Sequence, residues 1–271
     1  MIREIVPGFF WLQECGPDRP GFTATRNTHP VDWYVPGREV HVPQNAYLLR
    51  AGKSLLFDTL SPAGGEQVLR ELEAVLEGRG LDYLVVSHPD VPHAGNTHRI
   101  LAAHPETALV APATGDIHAL YHLEDSLRVG PGDGLDLDGF RVRFHEATFL
   151  DAPLSIWMSE ESTNALFPVD WMGFPHMRGE CGRFAEELEG LDEEAWLSRL
   201  IDFHGRVMFW YEYVEVPKTR AEIDRLIRAL APSLLAPAHG LVIREEPARY
   251  MELIKRAVAA IAERGRVGTL G

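Results

Sequence analysis

The chain has 271 residues, 45% of them apolar and 24% charged, the composition of a folded globular protein rather than a disordered one. Its formal charge of −14 argues against a nucleic-acid partner, because phosphate contacts need clustered Lys and Arg. No run approaches the ~20 apolar residues of a membrane span and the first residues hold no secretory apolar core, so a cytoplasmic protein without membrane contact is expected.

Gly8-Phe-Phe-Trp-Leu12 predicts a first strand. A Pro/Gly/Thr-rich stretch follows from Gly16 to Pro43, carrying Trp33 and Tyr34; loops this long usually carry function or cover a site. Asn45–Arg50 and Ser54–Asp58 flank Ala51-Gly52-Lys53 as a hairpin. Between Gly65 and Glu77, Val68, Leu69, Leu72, Val75 and Leu76 recur at helical spacing, with Gly78 and Gly80 as stops. The apolar run Leu81–Val86 reads as a buried strand. A helix over Ala94–Ala103, a strand over Ala108–Ala111 and a helix over Thr114–Leu123 are expected next. Gly130–Phe144 is a turn-rich hairpin, and Leu154–Trp157 and Asn164–Pro168 are short strands. From Arg183 to Leu230 the pattern is mostly helical. A strand at Leu234–Ala236 and an amphipathic helix over Pro247–Arg264 close the chain. There is no internal repeat, and this order of strands and helices implies an α/β protein whose helices cover the outside of two packed sheets. Cys15 and Cys181 fit no paired-ligand motif and are expected to be buried or inert thiols.

His88-Pro-Asp90-Val-Pro92-His93 sets two imidazoles and a carboxylate at the mouth of the Leu81–Val86 strand. Phe149-Leu-Asp151-Ala-Pro, Phe167-Pro-Val-Asp170-Trp and Pro237-Ala-His239-Gly each place an Asp or His beside another apolar segment. Any one of these alone is more often a cap or turn residue than a ligand. Together they supply what a metal site needs: several ligands on rigid elements from distant points of the chain. His98, His104, His118 and His122 fall on predicted helices, where surface or core roles are expected. His176 and His204 are candidates to line a substrate pocket. Trp33, Tyr34, Trp171 and Trp210 could wall a cleft, although aromatic residues in a chain this size are more often core.

Leu81–His88, the hairpin Gly132-Asp-Gly-Leu-Asp-Leu-Asp-Gly139, Leu166-Phe-Pro-Val-Asp170 and Ala236-Pro-Ala-His239-Gly resemble the metallo-β-lactamase superfamily in order and spacing. Three features are most similar to the metal-binding domain of flavodiiron proteins: Asn45-Ala-Tyr-Leu-Leu, the carboxylate Asp90 where hydrolases usually carry His, and Phe149-Leu-Asp151-Ala-Pro. The resemblance implies a single domain over residues 1–271, a four-layer αββα sandwich with metals at one edge. The flavodoxin-like domain that usually follows is expected to be missing.

Carried over by position, His88, Asp90, Asp151 and a bridging Asp170 would hold a first metal, and His93, His239 and Asp170 a second. Asp170 is the catalytic candidate. Two departures stand out. Pro92 occupies the place where the family has an Asp just before its last His. Asp151 replaces a His, with His145 as the alternative for that role. Three His and three Asp form an oxygen-rich set that suits iron or manganese and admits zinc, so one or two divalent ions are expected.

Three functions compete. The first is a non-haem metal centre that reduces or senses dioxygen or nitric oxide, fed by a separate electron carrier. The second is a metal-dependent hydrolase acting on an ester, thioester, amide or phosphate of a small-molecule substrate. The third is a single-metal, non-catalytic binding module. A symmetric homodimer is the base expectation for oligomeric state.

Overall fold

The computed structural model describes residues 1–15, 40–113, 126–177 and 179–264. The predicted helix over Thr114–Leu123, with His118 and His122, lies outside them, as does the segment with Trp33 and Tyr34.

In chain order, β1 (Ile2–Val6) and β2 (Phe9–Glu14) are antiparallel, and β3 (Val40–His41) is a two-residue strand. The hairpin β4 (Gln44–Arg50) and β5 (Ser54–Phe57) leads through α1 (Gly65–Leu76) to β6 (Tyr83–Val85). Short helices α2 (Val91–Ala94) and α3 (Thr97–Ala103) precede β7 (Ala108–Pro112) and β8 (Leu127–Val129). Then come β9 (Gly134–Asp136), β10 (Arg141–Glu146), β11 (Ile156–Glu160), β12 (Ala165–Phe167) and β13 (His176–Met177). Helices α4 (Glu193–Val207) and α5 (Val216–Leu230), β14 (Leu234–Leu235) and α6 (Pro247–Arg264) complete the order.

The strands make a seven-stranded sheet, β1-β2-β4-β5-β6-β7-β8, and a five-stranded sheet, β14-β12-β11-β10-β9. β3 pairs with β13 apart from both. Strand alternation sorts the two faces of the larger sheet. Ala46, Leu48 and Leu56 point to the α1 side, where they meet Val68, Leu72 and Leu76. Tyr47, Leu49 and Phe57 point the other way, into a core shared with Phe144, Trp157 and Phe167 of the second sheet and with α4–α6. Both faces are therefore apolar, which is why β4 and β5 read as nearly continuous apolar runs. The result is helices, sheet, sheet, helices: the expected four layers. Among the described residues no helix is long and apolar enough to cross a membrane.

Three expectations need correction. β1 carries too few buried residues to stand out in the sequence; only Ile5 is buried. The helix expected over Ala94–Ala103 is two helices. The Asn96 backbone N–H donates to Thr59 Oγ1, and its amide donates to the carbonyls of Thr59, Leu60 and Ser61, which breaks the helical ladder there. Cys15 and Cys181 are not thiols but a disulfide, with Cα atoms 5.8 Å apart across a separation of 166 residues. Only the folding of the β2 end against the turn after β13 brings them together.

Candidate metal centre

Each ligand candidate sits just beyond a strand end or on the turn that follows it. Asp58, one residue past β5, has φ 65°, which swings its carboxylate toward the end of β6. There Oδ1 accepts the Ser87 backbone N–H at 2.9 Å, and Oδ2 accepts the Ser87 hydroxyl at 3.0 Å. Asp58 Oδ2 also lies 2.7 Å from Nδ1 of His93. Asp90 caps α2 by accepting the Val91 N–H at 2.7 Å, and the single turn that follows carries His93 into the interior.

Asp170 is presented by a strained loop. Val169 and Met172 have φ values of 56° and 71°, a left-handed conformation that a β-branched residue such as valine rarely adopts. The Ala238 N–H holds it by donating to Val169 O at 2.7 Å, and the Trp171 N–H donates to Pro168 O at 3.0 Å. Strain of this kind persists only where its surroundings over-determine it. The His239 loop is tied from the other side. Asn45 Nδ2 and the Tyr47 hydroxyl both donate to Pro237 O, and His239 Nδ1 donates to Pro43 O at 2.7 Å. Gly240 has φ +102°, and a Cβ there would lie 2.8 Å from the Phe174 ring, so only glycine fits.

The side chains converge on Asp170. Its Oδ1 is 3.0 Å from His239 Nε2, and its Oδ2 is 3.4 Å from His93 Nε2 and 3.6 Å from His88 Nε2. Asp151 Oδ2 stands 3.6 Å from the same His88 nitrogen. Two ligand groups result, each with its atoms within 4.8 Å of one another: His88, His93 and Asp170, all buried, and His88, Asp90 and Asp151, nearer the surface. His88 belongs to both.

The residues fit a metal ion. His88 Nε2, His93 Nε2, Asp170 Oδ2 and Asp151 Oδ1 are buried yet make no hydrogen bond. Each buried polar atom left so costs about 1–3 kcal/mol, and a cation is the partner that nitrogen lone pairs and carboxylate oxygens can share. The Nδ1 contacts of His93 and His239 orient both rings with Nε2 toward Asp170, as metal-bound imidazoles require. Burial opposes a charge on His93, but Asp58 and Asp170 outweigh it and raise its pKa well above the ordinary value. Burial likewise opposes ionisation of Asp170, and His93 and His239 prevail to hold it well below the usual carboxylate range. A divalent ion would take over this pairing and displace the His93 proton.

The other candidates fall elsewhere. His145 sits on β10, its Nε2 2.7 Å from Ser159 Oγ, and lines a cavity of about 230 Å³ with Leu150 and Ile156 rather than joining the ligand groups. His204 is packed in the interior with both ring nitrogens engaged. It is fully buried; Nδ1 donates to Leu200 O at 2.8 Å and Nε2 accepts the Met172 N–H at 3.2 Å. Burial lowers its pKa to about 4, so it is a neutral prop behind the Asp170 loop. His176 is buried with Nδ1 3.8 Å from Cys15 Sγ. His98 is exposed and His104 half-buried at the end of α3. Trp171 is core, stacked between Trp157 and Phe149, and Trp210 donates its indole N–H to Leu150 O. Sequence reasoning missed Asp58, although it ends an apolar strand just as the ligand candidates do. It missed Pro43 because a backbone carbonyl leaves no mark in sequence.

The family model described as the metallo-beta-lactamase superfamily matches residues 40–177, just over half of the chain. A nitric oxide reductase of Moorella thermoacetica is 27% identical over 242 residues, covering 83% of this chain and 57% of its own length. The chain thus spans little more than half of that relative. Among solved structures, the rubredoxin:oxygen oxidoreductase of Desulfovibrio gigas superposes with a TM-score of 0.74 at 22% identity, covering 97% of this chain and 61% of its own. A mutant flavo di-iron protein of Thermotoga maritima gives 0.76 at 18% identity, covering 96% and 61%. These two likenesses show the fold.

Proposed function

Because the chain belongs to the metallo-β-lactamase superfamily, and its relatives carry names of nitric oxide and oxygen reduction, we propose that residues 1–271 act as one flavodiiron-like domain. In this reading it is a non-haem metal oxidoreductase that takes dioxygen or nitric oxide, with electrons from a separate carrier. It works in the cytoplasm, and as a homodimer. The carrying observation is the cluster of buried, hydrogen-bond-free nitrogen and oxygen atoms on His88, His93, Asp151 and Asp170.

His88, Asp90, Asp151 and Asp170 would hold one ion, and His93, His239 and Asp170 a second. Iron, when bound, supplies the redox change and an open position for a diatomic ligand; manganese and zinc suit the same donors less specifically. Asp170 would be the residue shared by both ions. Asp58 fixes the orientation of His93, and Pro43 O that of His239. The stack of Trp157, Trp171 and Phe149 backs the Asp170 loop with apolar surface. Pro92 brings no ligating atom to the His93 half, so the second ion should be the weaker.

Metal analysis of anaerobically purified protein, combined with a visible spectrum before and after nitric oxide, tests this. Iron with an absorption change, lost in Asp170→Ala, is expected. One tightly held zinc with no redox signal would overturn the reading. Hydrolysis rests on superfamily membership alone; turnover in a panel of ester and phosphate substrates that is lost in Asp170→Ala would establish it instead.

A further inference from the structure

We propose that Cys15, Cys181 and His176 form a second, redox-gated metal site that takes zinc when the Cys15–Cys181 bond is open. One ligand atom from each of the three lies within 4.8 Å of the others, and two thiolates with one imidazole are the donors zinc prefers, with water in the fourth position. His176 is buried and the cysteines half-buried, so an ion there would be shielded yet reachable. The site shares no residue with the His88–His239 cluster and does not rest on its reading.

The approach of these side chains does not depend on the disulfide. The turn bearing Cys181 is held on both sides by other contacts. Gly182 N–H donates to Gln13 Oε1 at 2.7 Å, and Arg3 donates to Gly182 O at 2.8 Å while pairing with Glu187. Glu180 pairs with Arg199 and accepts the Met177 N–H at 2.8 Å. Gln13 is itself anchored in β2, where its backbone exchanges hydrogen bonds with Met1 and its amide donates to Asn45 Oδ1. His176 is placed by the β3–β13 pairing. Opening the S–S bond therefore leaves the three donors facing one another, a preformed site rather than two separated thiols. A dithiol delivers two electrons and two protons, leaving as its own disulfide and giving two thiols here. Zinc then displaces both thiol protons to solvent.

The test uses the full chain, with disulfide intact or reduced by a phosphine, titrated with zinc and separately with cobalt. Reduced protein should bind about one zinc per chain more than oxidised protein and show a thiolate-to-cobalt charge-transfer band. Cys181→Ser and His176→Ala should lose that zinc, whereas His88→Ala should keep it. Should those variants fail to fold, reduced native protein alkylated at both thiols should lose the same zinc. Equal zinc in both redox states without the cobalt band shows a structural crosslink only and overturns the proposal. So does an extra zinc that survives alkylation.

Discussion

The two halves of the ligand cluster are built to different standards. His93 and His239 are buried, and each is braced through Nδ1 by Asp58 or by Pro43 O. Asp90 is exposed and Asp151 half-buried, and the Asp90 carboxylate accepts the Val91 N–H as the cap of its own helix. On the proposed ligand assignment the braced half is short of donors, with Pro92 where a carboxylate would help; the open half has carboxylates but little to hold them. In the proposed two-ion reading, orientation and ligand number are separated between neighbouring sites that share Asp170. Tight binding needs both.

Removing the joint should have the largest effect. Asp170→Ala is expected to weaken metal binding in both halves by more than the ~100-fold typical of losing an outer partner, read by competition with a chelating dye. If only one half responds, Asp170 does not bridge.

His204, which props the Asp170 loop, offers a test by pH. Its folded pKa of about 4 lies below the ordinary 6.5. Unfolded chains therefore take up a proton that the native protein refuses as pH falls through that window. Stability present above pH 6.5 should decline toward pH 4, by on the order of 3 kcal/mol. Urea melts at several pH values measure this, and His204→Gln should flatten the slope; an unchanged slope assigns the acid sensitivity to other groups.

Asp58→Asn removes the charged brace on His93 and should lower affinity in that half about 10–100-fold while sparing the open half. Loss from both halves would mean that Asp58 organises the whole cluster through Ser87. The smallest effect is a gain. Pro92→Asp supplies a carboxylate beside His93 and should tighten the second ion about tenfold, since ligand count and type set affinity. No gain would show that the proline's place in α2 points away from the ions.

Much of this molecule is legible along the chain. The periodicities of Val68–Leu76 and Pro247–Arg264 mark the helices that appear there, and the apolar runs at Asn45–Phe57 and Leu81–Val86 mark central strands buried on both faces. His88, Asp90, His93, Asp151, Asp170 and His239 stand out as a set, because several imidazoles and carboxylates beside separate apolar runs supply what a metal site needs although each alone reads as a cap or turn residue. Those are local signals, fixed by side-chain chemistry and the repeat of helix or strand.

Tertiary structure decided which atoms meet. The left-handed turns at Asp58 and Val169, the carbonyl of Pro43 behind His239, the neutral role of His204 and the Cys15–Cys181 bond all depend on segments far apart in sequence. A backbone carbonyl is the same in every residue, and a cysteine 166 positions from its partner looks solitary. Their meaning comes from the sheets that carry them together.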